Sequence, residues 1–213
     1  MMKSVFKVTI AEDEVLQEYR DTAIQELNEF FEKKWVFNTP KIFIVDDRKT
    51  IDLLKEEKTE DWVVGWSWGR AAIFILNPKN ISKESSHDGS KYNIKQLIKH
   101  ELCHSFFQMA FGQSKFRWIN EGVALYTADQ LENYNKPKKF EDFLGENEDK
   151  VYAESGYVIK ILIGNFGKEK LFEFLKNQSN ISELEELSSL FEKIFGAELD
   201  YSFFNELLHK NSN

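Results

Sequence analysis

The chain has 213 residues, 42% of them hydrophobic and 15% aromatic, so it can bury a substantial core in one domain or two closely packed lobes. Its net charge of −8 and pI of about 5.2 argue against general affinity for nucleic acid or anionic membranes, since both call for a basic face. Charged residues make up 30% and are spread along the chain, which argues against intrinsic disorder except near the ends.

The first half of the sequence is predicted to form helices and a small sheet. From Glu12 to Lys34, apolar residues recur at three- and four-residue steps, which indicates an amphipathic helix. The segment Thr50–Lys58 favours a short helix, and three short apolar runs bounded by Gly, Pro and Asn predict strands. The predicted strands are Lys41–Val45, Trp62–Trp68 and Ala71–Leu76, and the polar segment Asn80–Ser90 is expected to be a loop.

The second half is predicted to be helical. Helices are expected over about Asn93–Phe111, Asn120–Glu132, Val151–Asn165 and Lys168–Asn177, with one or two more before the C-terminus. Strands followed by runs of helices are typical of the α+β class, here with a small mixed sheet. We expect a single domain over residues 1–213, with a sheet-containing lobe over about 1–112 and a helical lobe over about 113–213.

Cysteine content and hydropathy predict a cytoplasmic protein. Cys103 is the single cysteine, so an intrachain disulfide is excluded. Residues Met1–Glu14 lack the apolar stretch and small-residue cleavage site of a signal peptide. The longest apolar run, Ala71–Leu76, is far shorter than the roughly 20 residues that a transmembrane helix needs. No membrane or nucleic-acid partner is therefore expected, and the oligomeric state stays open.

The segment His100-Glu-Leu-Cys-His104 has the pattern His-Glu-x-x-His and lies inside one predicted helix. Residues four apart on an α-helix differ by roughly 40° around the axis and about 6 Å along it, so both imidazoles can point at one ion. Glu101 lies roughly 60° from His104, where its carboxylate can reach a water molecule on that ion. This spacing predicts a metal site with Glu101 as the general base.

The rest of this predicted helix has one packed face and one polar face. Ile98, Leu102, Phe106 and Met109 fall opposite the two histidines, where they are expected to face the core. The alternative is that the histidines are helix-surface residues in ordinary hydrogen bonds, and that the pattern arose by chance.

A catalytic zinc ion usually has three protein ligands and one open position, and the third ligand is expected on another element. Glu121, in Asn120-Glu-Gly-Val-Ala124 near the start of the next predicted helix, is the best candidate. Sixteen residues separate it from His104, enough for a turn and a return past the first helix. Alternatively, Glu121 is a solvated residue stabilised by the helix dipole. With the upstream motif, we expect one Zn²⁺ per chain, held by His100, His104 and Glu121.

Together the two segments resemble the gluzincins, the zinc peptidases whose metal is held by two His and one Glu. The segment Trp118-Ile-Asn-Glu-Gly-Val-Ala124 is similar to Trp-Leu-Asn-Glu-Gly-Phe-Ala of the aminopeptidase-like branch. The similarity runs from about Lys91 to Asp129 and, more weakly, through Tyr152 to Leu175. It implies a zincin-like fold and a metallopeptidase acting on a peptide or protein substrate.

The resemblance also implies that the last strand of the sheet, Ala71–Leu76, runs along the cleft and pairs with an extended substrate. Two features differ from the family. The Gly-x-Met-Glu-Asn segment with which aminopeptidases hold the substrate's N-terminus is absent, so an aminopeptidase is not expected. Leu125 stands where some gluzincins have an acidic residue, so the group that supports a zinc-bound histidine must come from elsewhere.

In the expected mechanism, zinc lowers the pKa of its bound water to about 7. Glu101 takes the proton as hydroxide attacks the scissile carbonyl, and then passes it to the leaving amine. A Tyr or His usually helps to hold the resulting oxyanion. Tyr157 and Tyr152, on the helix after that of Glu121, are the candidates, and half-buried structural tyrosines are the alternative.

Other conspicuous residues are assigned to structure. Cys103 is expected to be a buried, inert thiol, and His87 and His209 have no ligand spacing to the motif. The alternating tryptophans of Trp62–Trp68 favour core filling over a substrate groove. Gly65, within that segment, is expected to allow a bulge.

Three functions compete. The leading hypothesis is a zinc-dependent peptidase or related amide hydrolase. The first alternative is a non-catalytic zinc-containing module that binds peptide or protein. Retention of Glu101 speaks against it, because a structural site needs no base and is usually rich in Cys. The second alternative is a binding module in which the motif is coincidental.

Overall fold

The computed structural model describes residues 8–10, 13–145 and 148–210. Within these residues it has nine α-helices and one four-stranded sheet, which confirms the predicted α+β class. None of the described helices is both long enough and apolar enough to cross a bilayer. The chain forms two compact units, Met1–Phe106 and Phe107–Asn213, with the boundary inside the fourth helix.

The first unit contains the sheet. Its elements are β1 (Val8–Ile10), α1 (Glu14–Phe31), β2 (Lys41–Val45), α2 (Arg48–Lys55), β3 (Gly65–Trp68), β4 (Ala72–Leu76), α3 (Ile81–Glu84) and most of α4 (Ile94–Phe111). The strand order is β1-β2-β4-β3. Strands β2 and β4 run parallel, whereas β1 and β3 pair antiparallel at the two edges. The sheet is therefore mixed, as predicted.

Two short elements of this unit differ from the sequence-based expectations. Strand β1 precedes the first helix, where the sequence predicts no strand. The expected loop Asn80–Ser90 contains α3, which directly follows a 3₁₀ turn over Pro78–Asn80. Both elements are three or four residues long, so the hydrophobic pattern does not repeat within them and cannot be recognised.

Strand β4 is not the edge strand that the resemblance implies. All five of its residues are buried, and it is paired with β2 on one side and β3 on the other. A continuous apolar run is typical of a strand covered on both faces. The expectation that Ala71–Leu76 pairs with a substrate is therefore wrong, because its main-chain groups bond within the sheet. The edge position belongs to β3.

The second unit is helical. Its helices are α5 (Arg117–Thr127), α6 (Glu148–Phe166), α7 (Lys168–Asn177), α8 (Leu184–Phe195) and α9 (Tyr201–Lys210). Helix α5 ends five residues before the predicted Glu132, because Asp129 adopts a left-handed backbone conformation with φ 56°. Aromatic rings fill the core, where Phe191 lies 5.7 Å from Phe174 and 5.8 Å from Phe204 between ring centroids.

Candidate metal centre

Helix α4 is buried around its circumference over its middle turns. From Leu97 to Phe107 every side chain is buried except that of His104, which is half-buried. The predicted core residues Ile98, Leu102 and Phe106 are fully buried, whereas Met109 is partly exposed. The face with the motif is covered as well, so its polar groups lie where electrostatic interactions are stronger than in water.

The two histidines lie side by side on α4. The ring centroids of His100 and His104 are 4.8 Å apart, and the ring planes are inclined at 80°. His100 is only 7% exposed. The four-residue spacing therefore places two nitrogen donors on one face of the helix, as helix geometry requires.

Glu121 completes a group that could hold a metal ion. One ring nitrogen from each histidine and one carboxylate oxygen of Glu121 all lie within 4.8 Å of one another. A tetrahedral ion with ligand bonds of about 2.1 Å separates its ligand atoms by about 3.4 Å, which lies within the 4.8 Å span of this group. Two imidazoles and one carboxylate match the donor set of a catalytic zinc site with an open position.

Packing within the second unit fixes the turn of α5 that carries Glu121. The buried Trp118 indole, one helical turn earlier, packs edge-on against Phe143 with ring centroids 5.5 Å apart. The Asn120 amide donates a hydrogen bond of 3.0 Å to the carbonyl oxygen of Ser114. These contacts fix the turn of α5 that directly precedes Glu121.

Gly122, next to Glu121, is the point of closest approach between α5 and α6. A Cβ atom at this position would lie 2.7 Å from the carbonyl oxygen of Ser155 and 2.9 Å from Cγ1 of Ile159. Because the nearest atom belongs to the main chain, it cannot move away cheaply. Only glycine allows this helix spacing, which in turn sets the position of Glu121.

Glu101 faces the edge strand β3. Its side chain is 6% exposed. A Cβ atom on Gly65 would lie 3.3 Å from both Cγ and Oε1 of Glu101, and 3.0 Å from Cδ1 of Leu97. The sequence assigns Gly65 only to a bulge, but a glycine in a strand also marks a close approach of the backbone. A close approach of the backbone at this glycine is therefore the sequence signal that could have predicted the contact with Glu101.

Two polar contacts fasten α4 within the first unit. The fully buried Ser105 hydroxyl donates a hydrogen bond of 2.8 Å to the carbonyl oxygen of Gly69, in the turn that follows β3. The Lys99 ammonium lies 2.6 Å from a carboxylate oxygen of Glu26 on α1. The helix with the motif is thereby tied to the edge strand and to the first helix.

The two candidate tyrosines lie on α6. The Tyr157 hydroxyl is hydrogen-bonded to the carbonyl oxygens of Leu131 and Tyr134, at 3.0 and 3.3 Å. Burial, and to a smaller extent the negative charge of Glu132, raises the pKa of Tyr157. Tyr152 is half-buried, five residues earlier. Tyr157 is thus a neutral donor that fastens the segment after α5, and an oxyanion role for either residue stays a prediction.

The remaining histidines and the cysteine lie in ordinary structural surroundings. Cys103 is a fully buried free thiol. A ring nitrogen of His87 lies 2.9 Å from the carbonyl oxygen of Trp62, and His209 is exposed near the end of α9. None of the three belongs to the group formed by His100, His104 and Glu121.

The tryptophans of β3 only partly follow the expectation of core filling. Trp66 lies flat on Phe74 of the neighbouring strand, with ring centroids 4.8 Å apart and planes inclined at 6°. Trp68 is 60% exposed, so for this residue the expectation is wrong. The edge position of β3 explains the difference, because an edge strand has a neighbour on one side only.

No family model, curated protein or solved structure matches this chain.

Proposed function

We propose that this protein is a zinc-dependent hydrolase that cleaves peptide bonds, with His100, His104 and Glu121 as metal ligands and Glu101 as general base. The observation that carries the proposal is the convergence of three ligand atoms within 4.8 Å, two of them on the helix that also bears Glu101. A structural zinc site needs no adjacent carboxylate and is usually rich in Cys, whereas this group contains none.

A zinc ion in this group would supply Lewis acidity, which polarises a carbonyl and acidifies a water molecule. Glu101 would take the proton from that nucleophile and deliver it to the leaving amine. The burial of Glu101 strengthens its electrostatic interactions and limits competing solvent. Tyr157 and Tyr152 are proposed donors to the oxyanion, and Tyr157 would have to leave its two main-chain carbonyl partners to serve.

An extended substrate is favoured by the direction of the main-chain groups of β3. The Leu76 N–H donates to the Val64 carbonyl at 2.7 Å, which makes these two residues a hydrogen-bonded pair. Such pairs alternate along an antiparallel ladder, so Gly65 and Ser67 direct their N–H and C=O groups away from β4. A peptide that adds to this edge would lie beside Glu101, because Gly65 packs on that residue.

The sheet and α4 also support a zincin-like arrangement within the first unit. An antiparallel edge strand lies against the helix that carries the metal motif, and the remaining strands continue the sheet away from it. This arrangement and the Trp118–Ala124 segment favour the gluzincin type, without the substrate-anchoring segment of the aminopeptidases.

The decisive experiment is the metal content of protein purified without chelator. We expect about one zinc per chain in the wild type, and a loss or sharp weakening of binding in His104→Ala and in Glu121→Ala, because each removes one of three ligands. His209→Ala and Glu186→Ala are matched controls, since both side chains are exposed and outside the ligand group.

A wild-type protein that stays metal-free after zinc is supplied would contradict the proposal. Zinc that is retained in both ligand variants would place the ion elsewhere. Stoichiometric zinc without any hydrolysis of a peptide library would instead favour the non-catalytic zinc-containing module.

A further inference from the structure

We propose that Gly65 is a positioning residue for Glu101, and that the missing side chain at this place sets where the carboxylate lies. The inference rests on the proposed function, in which Glu101 is the general base. It concerns a residue that lies outside the His-Glu-x-x-His motif and on a different element.

The contact distances carry the inference. A methyl group on Gly65 would meet Cγ and Oε1 of Glu101 at 3.3 Å and Cδ1 of Leu97 at 3.0 Å. Carbon atoms in optimal contact are about 3.5–4.0 Å apart, so such a methyl group would have to push both side chains aside. Glu101 is almost fully buried, and a displaced carboxylate has little free space to enter.

The strand cannot easily retreat from α4 to relieve the contact. Val64 is buried just before Gly65 and bonded to Leu76, and Trp66 lies flat on Phe74 just after it. Four residues beyond Gly65, the Ser105 hydroxyl holds the carbonyl of Gly69. Strand β3 is therefore held to its neighbours along its length, and a methyl group at position 65 acts on the side chains of α4.

The direction of the added Cβ atom distinguishes an effect on the position of Glu101 from an effect on substrate binding. The Cβ atom on residue 65 points at Leu97 and Glu101, whereas the main-chain groups of the same residue point along the sheet toward the open edge. Substitution by alanine should therefore change the turnover step and leave substrate binding at the edge unaffected.

The test is a series of glycine substitutions on the full chain, loaded with zinc or with Co²⁺. Gly65→Ala and Gly65→Val add increasing volume beside Glu101. Gly164→Ala is the matched control, since a Cβ atom there meets nothing within 4 Å. Ser105→Ala is the second variant, which releases the turn after β3 without adding any atom. Circular dichroism and thermal unfolding establish that each variant folds.

The first readout is steady-state kinetics. The substrate is an internally quenched fluorescent peptide whose sequence is chosen from a library screen. We expect Gly65→Ala to lower kcat by about tenfold, and Gly65→Val further, with KM and metal content within about twofold of wild type, because small misplacements of reacting groups are costly. Ser105→Ala should lower kcat less than Gly65→Ala. In a Glu101→Asp background, whose carboxylate is one methylene shorter, the added methyl should matter much less.

The visible absorption of the Co²⁺-loaded protein gives a second result that needs no substrate. The absorption bands of the ion respond to its surroundings, so Glu101→Gln and Gly65→Ala should both change them while Gly164→Ala does not. Absence of hydrolysis in the wild type, together with these spectral changes, would refute the peptidase and uphold the positioning role. Wild-type hydrolysis that depends on Glu101, with kcat and spectrum unchanged in folded Gly65→Ala and Gly65→Val, would overturn the positioning role alone. A wild type that binds neither metal would overturn both.

Discussion

Helices α4 and α6 both carry a buried carboxylate, Glu101 and Glu154, and the two residues have different surroundings. Glu154 on α6 is 7% exposed and accepts hydrogen bonds from the main-chain N–H groups of Glu141, Asp142 and Phe143, at distances between 3.0 and 3.2 Å. Glu101 on α4 is 6% exposed, follows His100 of the candidate metal group and lies close to Gly65 of β3.

Burial by itself therefore does not distinguish a carboxylate that stabilises the fold from one that lies beside a candidate metal site. Glu154 fixes a segment of main chain, because three N–H groups converge on it and would otherwise need other partners. Glu101 lies beside a group of ligand atoms that could hold an ion. The role follows from what surrounds the carboxylate.

The largest expected effect is the difference between the same substitution, Glu to Gln, at the two buried carboxylates. Glu101→Gln should lower kcat for peptide hydrolysis by about 10²–10⁴-fold and leave the unfolding free energy nearly unchanged, since an amide cannot act as a base. Glu154→Gln should leave kcat of the folded protein unchanged and cost about 1–3 kcal/mol of stability, because the amide has no charge and one of its two polar atoms donates and cannot accept from these N–H groups. The measurements are steady-state kinetics and urea unfolding.

The distinction between Glu101 and Glu154 would be wrong if both variants lost activity in proportion to their loss of stability. Each carboxylate would then be structural. Equal zinc content in the wild type and Glu101→Gln is the internal control, because Glu101 is not proposed as a ligand.

A smaller effect is expected where α6 supports α5, which carries the proposed third ligand Glu121. Gly122→Ala should cost about 1–3 kcal/mol of stability, because the new methyl overlaps the Ser155 carbonyl. Zinc affinity should also fall, since the shift of α5 moves Glu121. The control Gly164→Ala should stabilise the protein by up to about 1 kcal/mol through helix propensity. Zinc titration followed by urea unfolding checks both, and unchanged affinity in Gly122→Ala would show that this contact does not position the ligand.

The smallest expected effect is the contribution of Tyr157, on α6, to the pH dependence of the protein's stability. Its pKa in the folded protein is raised above the ordinary value of 10.0, chiefly by burial. The neutral form is therefore favoured by folding, and the stability that it contributes is complete below about pH 10 and falls as the pH rises further. Tyr157→Phe removes this dependence and also the two hydrogen bonds, at a cost of about 1 kcal/mol.

Urea unfolding at about pH 9 and about pH 11 tests this prediction. The stability difference between wild type and Tyr157→Phe should shrink at the higher pH, by less than about 1 kcal/mol. Tyr201, whose pKa burial also raises, is present in both proteins and cancels in the comparison. A difference that grows with pH would contradict the assignment of Tyr157 as a neutral buried donor.

Most long elements were predictable from hydrophobic periodicity, and the short ones were not. Strand β2 and helix α7 have the predicted bounds, and α4 begins one residue after its predicted start. The three-residue strand β1 and the four-residue helix α3 were missed, because each spans little more than one period and the pattern does not repeat. The end of α5 was misplaced because it depends on the left-handed conformation of Asp129, for which the sequence pattern gives no clear indication.

The sequence by itself determined that His100 and His104 lie side by side, because their spacing is local helix geometry and needs no distant partner. Only the tertiary structure decided the order of the strands, the edge position of β3 and the contact of Gly65 with Glu101. The close approach of Gly122 to Ser155 was likewise decided only by the tertiary structure. These features depend on residues far apart in the chain, and packing between elements cannot be deduced from the periodicity of either one alone.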